Sequence, residues 1–111
     1  MKKKKTYLAV RKVREFIATL PDEAQAEYQS IVDRLEMDGY LVEPFAKKLD
    51  SGLFEIRVRR GHQVRIFYFY HEDNIVFGVH AFMKKTQQTP LHELRQAMRV
   101  ATQIKRGKYD E

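Results

Sequence analysis

The segment Lys47–Pro90, KKLDSGLFEIRVRRGHQVRIFYFYHEDNIVFGVHAFMKKTQQTP, decides the fold. Three runs in it are rich in β-branched and aromatic residues: Leu53–Arg59, Val64–Tyr70 and Ile75–Phe82. Short polar clusters separate them, Arg60-Gly61-His62-Gln63 and His71-Glu72-Asp73-Asn74. Apolar runs bounded by turn residues at this spacing predict consecutive antiparallel strands joined by hairpins. The strands carry an unusual load of cations. Arg57, Arg59, Arg60, Arg65, Lys84 and Lys85 ride on or beside them, against Glu55, Glu72 and Asp73. Like charges gathered on one sheet face repel each other, so the cluster points to an anionic ligand.

Working outward, the segment before the sheet reads as two helices. Val10, Val13, Phe16, Ile17 and Leu20 follow helical spacing. Leu20-Pro21-Asp22-Glu23 is a break and restart, with two acids suited to a helix N-terminus. Ala24, Tyr28, Ile31, Val32 and Leu35 form the next apolar stripe, and Gly39 is placed to end that helix. Tyr40–Ala46 reads as a linker that leads through Lys47 and Lys48 into the first long strand. After the sheet, Thr89 is the expected N-cap and Pro90 the expected first residue of a last helix. Its apolar stripe is Leu91, Leu94, Ala97, Met98, Ala101 and Ile104, and Gly107 stops it. The predicted architecture is α+β: an N-terminal helical hairpin packed on a three- to four-stranded antiparallel sheet, with a C-terminal helix.

Length bounds this to a single domain over residues 1–111. Residues 1–5 read as a basic, disordered arm. The chain is 43% hydrophobic and has no cysteine, which excludes a disulfide framework and a thiolate metal site. No apolar run approaches the ~20 residues of a membrane span, and no signal-peptide core follows the basic start, so the expected location is the cytoplasm, without a membrane partner. Net charge is +6, unevenly spread. Residues 1–20 hold seven Lys/Arg and one Glu, residues 21–50 three against eight acids, and residues 51–111 eleven against six. A basic sheet beside an acidic helix suits nucleic acid; charge alone leaves an ordinary mixed surface equally open.

Four pieces of the sequence carry a family resemblance: Lys47-Lys48-Leu49, Gly52-Leu53-Phe54-Glu55-Ile56-Arg57, Val64-Arg65-Ile66-Phe67-Tyr68 and Phe82–Pro90. In this order and spacing they resemble the RelE/ParE superfamily of bacterial toxins, in its phage-derived, HigB-like branch, over roughly residues 15 to 105. The resemblance implies a RelE-like fold, with a short strand near Thr6–Val10 before the first helix, and the toxin of a type II toxin–antitoxin pair, acting as a ribosome-dependent endoribonuclease on translated mRNA. It implies as partners the ribosome, mRNA and an antitoxin protein of helix-turn-helix type. The antitoxin would cover the basic groove or displace an element beside it. Two rivals stay open: a ParE-like toxin that binds gyrase, and a non-toxic nucleic-acid-binding phage accessory protein.

The chemistry expected of such a nuclease needs no cofactor. His62, His71, His80 and His92 lack metal-ligand spacing, no glycine loop cradles phosphate, and no serine sits in a nucleophile elbow. The RNA supplies the 2′-OH nucleophile. The protein must take its proton, stabilise the pentavalent phosphate and protonate the leaving 5′-oxygen. Arg65 interrupts an apolar strand and so requires an anion; phosphate or a structural pairing with Glu55 would both supply it. Arg57, Lys84 and His80 complete the candidate catalytic set, with His80 the acid or base by type or else a satisfied core histidine. Arg59, Arg60, Lys85, Lys47 and Lys48 are the candidate RNA-binding cations, or else solvated strand and turn charges. Better-studied relatives use a C-terminal tyrosine; here Thr86, Leu91 and His92 follow Lys84-Lys85, and Tyr109 lies past the last helix, so the acid/base roles stay open. Arg57 and Arg65 can share one phosphate only if paired residue numbers in their hairpin sum to an even number. A three-residue loop or a bulge near Gly61 would achieve that; a plain four-residue loop over 60–63 would not.

Overall fold

The structure, a computed structural model, describes residues 2–60 and 63–109. In chain order the elements are β1 (Thr6–Ala9), α1 (Arg11–Ala18), α2 (Asp22–Asp38), β2 (Ala46–Lys48), a 3-10 turn at Asp50–Gly52, β3 (Phe54–Val58), β4 (Val64–Tyr70), β5 (Ile75–Met83) and α3 (Leu91–Lys105). The strands form one sheet in the order β1-β5-β4-β3-β2. The expected three-strand meander is present as β3-β4-β5, antiparallel throughout. Its first run is shorter than expected, because Leu53 precedes the strand and Arg59 follows it.

The sheet also departs from the three or four antiparallel strands expected. It has five strands and is mixed, because β1 pairs in parallel with β5 and β2 adds antiparallel to β3. Both extra strands are short, and β2 holds two lysines in three residues, so neither offers an apolar alternation to read. Parallel pairing needs a crossover between the strands, and the helical hairpin with β2–β4 supplies it. At the β1–β5 junction a Cβ on Gly78 would overlap the Tyr7 hydroxyl and lie 2.8 Å from its Cζ. Glycine at that position is what lets β1 dock.

β4 is central, so both its faces are covered and Val64 to Phe69 are all buried. On one face Ile56, Val58, Ile66 and Tyr68 belong to the core with Ala24, Tyr28, Ile31 and Leu35 of α2. The Tyr28 hydroxyl donates to the Tyr7 hydroxyl at 2.9 Å, which ties α2 to β1. α3 packs on the other face, against β5 through His80–Glu93 and against β4 through Lys105 Nζ, 5.0 Å from the Phe69 ring centre.

Helix ends follow the expected punctuation with one exception. Gly39 closes α2 at φ 84°, and α3 ends in a Schellman arrangement, with Gly107 N–H donating to Ile104 and Lys108 N–H to Gln103. At the start of α3, however, the cap is Pro90 rather than Thr89, and Leu91 opens the helix. Pro90 takes an extended ψ of 139°, which leaves its carbonyl to accept from Glu93 and Leu94. The N-terminal lysines, read as a disordered arm, lie along the end of α2. Lys4 and Lys5 N–H both donate to the Glu36 carbonyl, and Lys3 pairs with the Glu36 carboxylate at 3.6 Å. The free carbonyls and acid at a helix C-terminus give cations a place to settle.

Candidate nucleic-acid interface

Strand register assembles the site. Arg57 pairs directly with Arg65 and Val58 with Val64, which encloses a five-residue connection and gives the even sum that a shared face requires. The glycine named for a possible bulge, Gly61, lies outside the described residues, as does His62. Lys47 pairs with Glu55, Glu55 with Phe67, Phe67 with His80, and Arg65 with Phe82. Lys47, Glu55, Arg57, Arg65, Phe67, His80 and Phe82 therefore share one face of the sheet.

Glu55 is the centre of that face and is 1% exposed. Its Oε2 lies 3.5 Å from Arg57 Nε and its Oε1 3.7 Å from Arg65 Nε. The two arginines thus share one carboxylate, and the trio keeps a net positive charge. Arg65 is itself buried; its Nη1 donates to the Val64 carbonyl and its Nη2 to the Gln63 side chain, each at 3.2 Å. Its contact to Glu55 is an ion pair without hydrogen-bond geometry, so Arg65 Nε and Glu55 Oε1 have no hydrogen-bond partner. Burial lowers the Arg65 pKa, Glu55 opposes that, and the positive charges of Arg57 and Arg59 add to it. A guanidinium in these conditions gains from an added anion, which would offset both the desolvation and the neighbouring cations.

The anion has room. An open cavity of about 450 Å³ lies beside Arg65, lined by Gln63, Arg65, Lys84, Lys85, Thr86 and Gln87. Lys84 N–H donates to the Gln63 carbonyl at 2.6 Å, which fixes the end of β5 next to Arg65. Thr86 Oγ1 donates to the Gln88 carbonyl and shapes the loop beyond.

Not every candidate joins this cavity. Lys48 pairs with Phe54 and so sits on the opposite face from Lys47. Arg60 lines a cavity on the α2 side with Glu23 and Glu27. The Arg59 and Arg60 N–H groups both donate to Glu27 Oε1, at 2.9 and 2.7 Å, which pins the start of the β3–β4 connection to α2. His80 lines a different cavity, between α1 and α3. Its Nε2 lies 2.6 Å from Glu93 Oε1, and Phe82 stacks on its ring between it and the Arg65 end of the strand. Sequence reasoning passed over three side chains that shape these sites. Gln63 and Glu27 lacked any local signal; Glu93 sits one turn into a helix, where an acid is expected anyway. Among the described residues no group of three His, Asp or Glu side chains is placed to hold a metal ion.

The fold and the site define a small α+β domain whose sheet gathers cations at one end of a face, around one buried carboxylate. The chain matches the family described as phage derived protein Gp49-like over residues 15–102 and belongs to it, a family of the RelE/toxin-like kind. No curated protein matches the chain. Among the described residues no helix is long and apolar enough to cross a membrane.

Proposed function

We propose that this protein is the toxin of a type II toxin–antitoxin pair, of the HigB-like branch, and that it cleaves translated mRNA on the ribosome. The observation that carries the reading is the Arg57–Glu55–Arg65 trio beside the Lys84–Lys85 cavity. Membership of a RelE/toxin-like family supports it. A scissile phosphate in the cavity meets Arg65, preorganised by Gln63 and the Val64 carbonyl, with Lys84 and Lys85 opposite. These cations stabilise the charge that builds up when the 2′-OH attacks. The ribosome and the mRNA itself supply the rest of the geometry. A separate antitoxin, expected to carry a helix-turn-helix, holds the toxin inactive.

One observation favours a second reading. Among the described residues the lining of the Arg65 cavity includes no His, Tyr, Asp or Glu, so proton transfer there would fall to Lys84 or Lys85. A ParE-like toxin, which acts on gyrase by binding, has no need of such transfer. Induction in a bacterium separates the two. The nuclease reading expects growth arrest with translated mRNA cut, and little cutting of naked RNA by the purified protein. Arrest with intact mRNA and damaged DNA would replace it with the gyrase reading, and absence of any growth defect would replace both with a non-toxic nucleic-acid-binding protein.

A further inference from the structure

The cations on the Glu55 face continue to the edge of the sheet. Lys47 of β2 shares that face with Arg57 and Arg65, and β2 is the last strand on that side. Two inter-strand spacings of about 4.8 Å separate β2 from β4, a distance that a short single strand of RNA bridges. Lys48, the next residue, turns to the opposite face beside Phe54. The two lysines are exposed and flank the edge from both sides. Among the described residues no carboxylate pairs with either of them, so nothing in the fold accounts for their charge.

An open cavity of about 440 Å³ lies along this edge. Leu41, Val42, Ala46 and Phe54 give it an apolar wall, and Lys47 and Lys48 both line it. Val42 is 58% exposed, an apolar side chain left to water in front of the cavity. The Phe54 ring is held in one orientation: Tyr68 stacks on it at 5.5 Å and Tyr70 meets it edge-on at 5.1 Å. Glu43 is the one acid among the described lining residues.

We propose that this edge pocket holds one nucleobase of a single-stranded RNA whose backbone crosses from Arg65 over Arg57 to Lys47. The base lies against the apolar wall, and the phosphates on either side of it meet Lys47 and Lys48. Aromatic and apolar surfaces bind a base by its face, whatever its identity, while cations track the backbone. The row of cations is what favours RNA over a peptide. It joins the pocket to the Arg65 cavity, and an RNA strand carries an anion at every nucleotide. The inference rests on the RNA reading of the Arg65 site and adds a second point of hold, around the edge of the sheet.

The test uses the full chain and single-stranded uridine octamers with 2′-O-methyl groups throughout, which lack the nucleophile and stay intact. A 2-aminopurine placed at each position in turn reports stacking by quenching, and anisotropy at low salt reports affinity. Quenching should peak at one position, and an abasic nucleotide there should weaken binding about tenfold. Val42→Asp should remove the quenching. Lys47→Ala with Lys48→Ala should weaken binding about tenfold and flatten its salt dependence, and Glu43→Gln should tighten it. These four positions are exposed, so the melting curves should match the parent. Arg65→Ala separates the two readings. If it weakens binding while Val42→Asp and the lysine pair change nothing, the pocket is overturned and the Arg65 site stands. If the parent chain binds no octamer, both fall. Equal quenching at every position would also overturn the pocket. So would an acidic Glu-Leu peptide whose binding is lost with Val42→Asp while RNA binding is kept.

Discussion

Arg65 illustrates how one side chain can be structural and functional together. Its ion pair to Glu55 is the structural half; its place in a cation-lined cavity is the functional half. Removing one partner of a buried pair usually costs several kcal/mol because the other charge is stranded. Here Arg57 stays beside Glu55 at 3.5 Å, so Arg65→Ala should lose only about 1–3 kcal/mol and remain folded. Toxicity should fall far more, by on the order of 10²–10³ in rate, the typical loss of one preorganised donor to developing charge. Arg65→Lys should restore only part, since an ammonium lacks the planar fork that holds two phosphate oxygens. Thermal melts alongside growth assays check both halves. A folded Arg65→Ala that arrests growth like the parent would remove Arg65 from the site. Glu55→Gln should be the opposite case. It releases two arginines from their counter-ion inside the fold, so the melting temperature should drop before any effect on the cavity can be read.

At the level of elements, the β3–β4 connection and the β1–β5 junction each rest on one device. Glu27 on α2 accepts from two successive backbone N–H groups, those of Arg59 and Arg60. Glu27→Ala should cost about 1–2 kcal/mol, the value of two partly exposed hydrogen bonds. Exchange at the Arg59 and Arg60 amides should quicken while β4 stays protected. Unchanged exchange would mean that the hairpin holds its own shape. At the junction, Gly78→Ala drives a methyl into the Tyr7 ring. Overpacking of this kind costs roughly 1–3 kcal/mol, and the loss should be smaller when Tyr7→Ala is already present, a coupling that a double-mutant cycle reads directly. Additive losses would show that the two residues do not meet.

For the whole molecule, the tyrosines set a limit at alkaline pH. Burial pushes the Tyr28 hydroxyl up to about 12, with its hydrogen bond to Tyr7 pulling the other way. Burial raises Tyr7 and Tyr68 as well. Folding therefore favours the neutral phenols. The stability they add is complete below the ordinary tyrosine value near 10 and is lost as pH rises through the folded value. For Tyr28 alone this amounts to roughly 2–3 kcal/mol. A pH titration should show unfolding between about pH 10 and 12, with tyrosinate absorbance rising in the same step. Tyrosinate appearing for all six tyrosines well before the fold melts would contradict it.

The sequence by itself determined the elements with strong local signals. Val64–Tyr70 is β4 residue for residue, because a central strand buried on both faces reads as an unbroken apolar run. Gly39 and Gly107 mark helix ends, since each takes a positive φ that other residues disfavour. The cation cluster and the Glu55 partner of Arg65 were also legible, because period-two alternation needs only a register to say which charges share a face. The register itself was not. It depended on the loop between the first two strands, for which a three-residue loop or a bulge stood against a plain four-residue loop; the structure places five residues there, and hairpins close at each of these lengths. Tertiary structure alone decided that β1 lies parallel to β5 and that β2 forms at all. The first pairing joins opposite ends of the chain; the second is local, but a three-residue strand with two lysines is held by backbone bonds that no apolar period records. The same cause separates His80 from Arg65. The two lie on one face of adjacent strands, but α3 returns to place Glu93 against His80, and that contact, made across thirteen residues of sequence, assigns the histidine to another cleft.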